Sequence, residues 1–97
     1  MAAHIVLMNF TDQGIRTIKQ SPERRKAATA AAEKLGIKVK EAYLTMGAYD
    51  VVILVDAPND ETMAAWTLSL GSLGNVRTQT MRAFSANEMD AIFAKLL

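Results

Sequence analysis

The 97-residue chain has no cysteine and a single histidine. The first absence excludes disulfides, thiolate metal sites and thiol nucleophiles; the second leaves too few imidazoles for a multi-histidine metal centre within one chain. Charge of one sign is also missing. Eleven Lys and Arg against ten Asp and Glu leave a net charge of +1, so no single-sign field draws the chain to nucleic acid or anionic lipid, and neither is expected as a partner. No apolar run approaches the roughly 20 residues of a membrane helix; the longest strong one is Val51–Val55. The N-terminal residues lack the basic segment and cleavage site of a secretory signal, so the expectation is a soluble cytoplasmic protein. Walker, Rossmann and nucleophile-elbow spacings are absent, and no cofactor is expected.

What is present is globular: 51% hydrophobic and 22% charged residues, enough for one core and too little chain for two. Residues 1–97 are therefore expected to form one domain. The continuous apolar run Ile5–Met8 predicts a central strand over residues 4–10, buried on both faces. Thr11 or Asp12 then caps a short helical segment reaching Lys19. Ser21-Pro22-Glu23 predicts a firmer helix start, and Ala28, Ala31, Ala32 and Leu35 recur at helical spacing before Gly36, giving a helix over 22–35. Residues 37–46 and 49–56 read as a hairpin about Gly47-Ala48. A two-residue loop there sets Leu44 opposite Val51 and Tyr43 opposite Val52. It puts Ala42, Leu44, Met46, Tyr49, Val51, Ile53 and Val55 on one face, and Glu41, Tyr43, Thr45, Asp50, Val52, Leu54 and Asp56 on the other. Pro58-Asn59-Asp60-Glu61 opens a helix to about 70 that is apolar nearly all round. A strand over 76–84 follows, and the capping box Ser85-Ala86-Asn87-Glu88 starts a closing helix with Met89, Ile92, Phe93 and Leu96 along one stripe.

The order β-α-β-β-α-β plus a C-terminal helix is that of the ferredoxin-like α+β fold, a four-stranded antiparallel sheet with helices on one face. No helix remains for the second face, although the central strands are apolar on both sides. A large apolar patch in water is seldom tolerated by monomers. The expected partner is therefore a second copy, two sheets meeting face to face in a homodimer of the dimeric α/β-barrel type, with higher homo-oligomers left open.

Three segments carry a family resemblance that runs almost end to end. They are Asn9-Phe10-Thr11-Asp12-Gln13-Gly14, Tyr43-Leu44-Thr45-Met46-Gly47-Ala48-Tyr49-Asp50 continuing at Asp56-Ala57-Pro58-Asn59-Asp60-Glu61, and Gly71-Ser72-Leu73-Gly74-Asn75-Val76-Arg77-Thr78. Together they resemble the GYD domain family, whose name-giving motif stands here as Gly47-Ala48-Tyr49-Asp50. The resemblance implies a small prokaryotic protein of dimeric α/β-barrel type and leaves the chemistry open, because that fold hosts oxygenases, isomerases, haem enzymes and ligand-sensing domains.

Reactive groups are few. Tyr43, Thr45 and Asp50 on the inter-sheet face, with Arg82 turned inward from the last strand, are the candidate ligand-binding residues; they offer two hydroxyls, a carboxylate and a bidentate donor. Against this, Thr45 and Asp50 would equally serve a cross-strand hydrogen bond at the hairpin end, and Arg82 an ion pair. Tyr49 falls on the helix face as ordinary core. His4 is the one neutral-range titrating side chain and the one candidate haem ligand, but it sits at a strand start where fraying is usual. Arg24-Arg25-Lys26 reads as a solvated helix turn, and Trp66 as packing or an oligomer contact. Two readings follow. One is a homo-oligomer that holds a small, partly apolar ligand between its sheets; the other is a cofactor-independent isomerase or monooxygenase acting on a small acidic or phenolic compound.

Overall fold

In the computed structural model, which describes residues 1–97, the apolar run near the N-terminus is a nine-residue strand, β1 (Ala2–Phe10). Burial alternates along it: His4, Val6 and Met8 are buried, while Ile5 and Leu7 between them are half-buried. This two-residue period puts one set of side chains under helices and the other on an uncovered face. The chain continues through α1 (Asp12–Arg16), a 3₁₀ turn (Ile18–Gln20), α2 (Ser21–Lys34), β2 (Lys38–Leu44), β3 (Val51–Ala57), α3 (Asp60–Ser72), β4 (Val76–Ala83) and α4 (Ala86–Phe93). The four strands form one antiparallel sheet in the order β2-β3-β1-β4. That is the ferredoxin-like arrangement expected from the sequence, with the sheet open at both edges.

The helix starts and stops follow the sequence signals. Pro22 stands in the first turn of α2, and its end is a Schellman turn: the Gly36 N–H donates to Glu33 O at 3.0 Å and the Ile37 N–H to Ala32 O at 2.9 Å, with Gly36 at φ +76°. Asn59 caps α3 by accepting the Thr62 N–H at 2.8 Å. Met63, Trp66 and Leu70 then fall on one stripe and are buried. They join Val6, Met8, Ile53, Val55, Ala57, Ala32 and Ile37 in a single ten-residue core between the sheet and α2 and α3. The Trp66 indole Nε1–H donates to Ala28 O at 3.0 Å, so the largest core side chain also ties α3 to α2. Trp66 is core packing and presents no surface to an oligomer.

Several expectations are corrected. The hairpin keeps its predicted register, with Leu44 opposite Val51 and Tyr43 opposite Val52, but regular pairing stops there and residues 45–50 form the loop. The closing helix does not close anything. Its capping box is intact, yet α4 buries none of its residues, and Met89, Ile92 and Phe93 remain exposed. The chain is accordingly elongated, 50 × 31 × 19 Å, with a radius of gyration of 14.7 Å, against about 12.5 Å for a compact chain of this length. His4, expected at a frayed start, is 4% exposed: Ala2 and Ala3 already pair with β3 and Ala3 with β4, and the imidazole lies on the helix face with Nε2 3.2 Å from Asp60 Oδ1 at the start of α3.

Candidate functional site

Strand register decides which side chains can meet. Across the sheet, Ala42, Ile53, Val6 and Thr80 form one row on the helix face, and Val39, Val55, His4 and Arg82 another. Tyr43, Val52, Leu7 and Gln79 form a row on the open face, and Glu41, Leu54, Ile5 and Met81 the next. Tyr43 and Arg82 therefore start from opposite faces. Arg82 does not join the other three candidates; its guanidinium donates to Ala3 O at 3.2 Å and to Glu88 Oε2 at 3.3 Å, and lies 4.4 Å from the centre of the Phe84 ring. The cause is parity: Arg82 is paired with His4, an inward residue of β1, so it cannot share the outward face.

At the hairpin end the polar groups serve the backbone. Asp50 Oδ2 accepts the Phe10 N–H at 2.9 Å, and the Asp50 N–H donates to Met8 O at 2.9 Å. The Thr45 hydroxyl donates to Tyr49 O at 2.7 Å, and the Thr45 N–H to Asp50 O at 2.8 Å. Asp50 thus continues the β1–β3 ladder with its side chain while its carbonyl closes the loop. Tyr49 does not enter the core; its hydroxyl donates to Gln79 Oε1 at 2.9 Å, which carries it over β1 on the open face. The six-residue loop releases Tyr49 from strand alternation, and a two-residue turn would not. Tyr43 is half exposed and donates to Glu41 Oε2 at 3.1 Å. That hydrogen bond, with the charge of the Glu41 carboxylate, pushes the phenol above its ordinary value of 10.0 and keeps it protonated.

The other two segments that carry the family resemblance dock on each other at the same end of the sheet. The Thr11 N–H donates to Asn75 O at 3.0 Å and its hydroxyl to Gly74 O at 2.6 Å, while Gln13 Nε2 donates to Leu73 O at 3.2 Å and Asn75 Oδ1 at 3.0 Å. Thr11 Oγ1 also caps α1 by accepting the Gly14 N–H at 3.1 Å. Gly14 is buried against this loop, and a Cβ there would collide with the Asn75 carbonyl oxygen.

An opening of about 370 Å³ lies on the helix face of the sheet, lined by 20 residues of which 14 are hydrophobic. Its floor is Met8, Val51 and Ile53, its inner wall Trp66 and Leu70, and its outer wall Ala28 and Thr29 of α2 facing Val39 and Ala42 of β2. The space exists because α2 offers alanines where it crosses the edge strand and β2 answers with a small residue. Sequence reading missed this site: it read the Ala-rich stripe of α2 as helix packing and Arg25, which stands at the opening, as a solvated turn. The stripe of small residues over a small edge-strand residue was the available signal. No group of His, Asp or Glu is arranged to hold a metal ion. No helix is long and apolar enough to cross a membrane.

The sheet order, the helices on one face and the clasped loops define a ferredoxin-like α+β domain. A solved protein described as FFRP-DM1 superposes with a TM-score of 0.61 at 21% identity, covering 87% of this chain and all of that one, which supports the fold alone. The GYD domain model matches residues 4–93, and the chain belongs to the GYD domain family. It is 36% identical over 92 residues to a Thermus thermophilus protein named glutamine synthetase and cystathionine beta-lyase binding protein, the match covering 94% of this chain and 97% of that one. The crystal structure of a Thermus thermophilus protein, TTHA0845, superposes with a TM-score of 0.57 at 30% identity, over 89% of this chain and 96% of that chain.

Proposed function

We propose that this chain is a non-catalytic homo-oligomeric binding protein, in which two copies cover one another's open sheet faces and the assembly joins a metabolic enzyme. The observation that carries the first part is the composition of the open face. Ile5 and Leu7 of β1, Val52 and Leu54 of β3 and Met81 of β4 stand side by side there with no helix over them. A standard interface buries about 800 Å² on each partner; if half is apolar, burying both faces is worth about 20 kcal/mol before association costs. The enzyme partner is carried over from the Thermus relative, whose name gives glutamine synthetase and cystathionine β-lyase as what it binds.

Binding is favoured over catalysis by the state of the reactive groups. Asp50 and Thr45 are taken up by the backbone of the hairpin, Tyr43 is held as a neutral phenol, and Arg82 starts from the other face. An isomerase or oxygenase needs such groups to converge on one reacting atom. A small, partly apolar ligand remains part of the proposal, with its place moved from between the sheets to the helix–sheet opening.

Multi-angle light scattering tests the assembly. The protein is expected to run as a dimer or larger at micromolar concentration, and Leu54→Lys to shift it toward monomer with its circular dichroism retained; a wild-type monomer would remove the proposal. Interferometry against purified glutamine synthetase and cystathionine β-lyase tests the partner. Saturable binding to one of them supports it, and binding to neither withdraws it.

A further inference from the structure

We infer that the helix–sheet opening is a site for a small amphipathic carboxylic acid, with its hydrocarbon part against Trp66 and its carboxylate on Arg25. This names the ligand class of the binding protein proposed above and rests on that reading, though not on its dimerisation.

Volume and lining argue for a hydrocarbon guest. About 370 Å³ is within the range of small-molecule sites, and a hydrocarbon guest there takes apolar wall surface out of water. The walls are Met8, Ile53, Trp66 and Leu70 at depth. The opening has the opposite character. Ser21, Arg24, Arg25 and Thr29 stand along it, all from α2, and the complete lining holds two arginines and no acidic residue. That is a one-sided charge in a chain whose acids and bases are balanced overall, at ten and eleven.

The two arginines differ in what they are free to do. Arg24 donates to Thr17 Oγ1 at 2.8 Å and to Gly14 O at 3.1 Å, so it braces α2 against the α1 segment. Arg25 is exposed, and the chain's two ion pairs, Lys40–Asp56 and Arg82–Glu88, and the His4–Asp60 hydrogen bond all leave it out. A guanidinium at the lip of an apolar chamber, with no acid of its own, is complementary to a single anionic headgroup and can take a carboxylate bidentately. The start of α2, which no side chain caps, adds the positive end of a 14-residue helix on the same side.

The test uses Trp66, the sole tryptophan, as an internal reporter, with octanoate, octanol and octylamine as the anionic, neutral and cationic probes. Octanoate is expected to give a saturable change in Trp66 emission at least about tenfold tighter than octanol, with octylamine weaker still. Arg25→Gln, a surface change that leaves the core intact, should bring octanoate down to the level of octanol. Ala42→Phe, which fills the chamber from the edge strand, should abolish the response to all three. If octanol binds as well as octanoate, or Arg25→Gln leaves octanoate unaffected, the carboxylate assignment is overturned. If no probe alters Trp66 emission or shifts amide resonances of α2 and β2, the site is overturned altogether. Light scattering on the same samples reports assembly separately, so loss of ligand binding and loss of the dimer are told apart.

Discussion

The Asp50 carboxylate accepts the backbone N–H of Phe10 at 2.9 Å, forty residues away in sequence, and so fastens the hairpin loop to the end of the central strand. The last letter of the motif that gives the family its name is therefore a structural hydrogen-bond acceptor in this chain. Its neighbour Tyr49 does comparable work on the open face through Gln79.

Asp50→Ala should cost about 1.5–3 kcal/mol, because it strands a part-buried amide that had a charged acceptor. Asp50→Asn keeps an oxygen in place and should cost less than half as much. Urea denaturation of the two variants checks this; equal and negligible losses would show that the contact is not structural.

Gly14→Ala should destabilise by about 1–3 kcal/mol, since its methyl group has no room beside the Asn75 carbonyl and must force the two loops apart. The loss of protection of the Thr11 amide in hydrogen exchange would locate the damage. A variant as stable as the parent would mean the loops yield freely.

Trp66→Ala should cost about 3–5 kcal/mol, the range for deleting a buried aromatic. Its side chain is 1% exposed within one chain. The fraction that stays folded should therefore keep the wild-type assembly state in light scattering, and a selective loss of assembly would place Trp66 at an interface.

The Glu88 carboxylate is held below its ordinary value of 4.5, first by the Ser85 N–H it accepts and then by Arg82. A carboxylate with a lowered value in the folded state stabilises above its unfolded value, and that contribution is lost as pH falls through the folded one. The Ser85 amide resonance should accordingly titrate with a midpoint below 4.5, and α4 should fray on the acid side of it. Glu88→Gln should remove the titration while retaining part of the cap.

Much of the fold is legible in residue patterns, and the reasons are local. The Pro22 start, the Gly36 stop, the Asn59 cap and the Ser85–Glu88 box each satisfy backbone groups within a few residues, so neighbours alone decide them. The register Leu44–Val51 follows in the same way from β-branched residues on both sides of one turn. What is not legible depends on parity or on distant packing. Residue patterns set Arg82 beside Tyr43, because nothing in its own strand says which residue of β1 it will pair with. They leave His4 in solvent, because its burial comes from the flanking strands and the start of α3, all distant in sequence. Tyr49 changes sides with four extra loop residues, and the opening beneath α2 arises from what two distant segments both omit.

The clasp at the end of the sheet keeps the residues that fix the fold apart from those that shape the chamber. Asn75, Thr11, Gln13, Gly14 and Asp50 are committed to joining loops, and none of them but Asn75 touches the chamber. Its outer wall is built instead from single positions on α2 and β2 whose exchange leaves those joints alone. A substitution at one of those positions would thus reshape the chamber while leaving the joints that hold the sheet end together untouched.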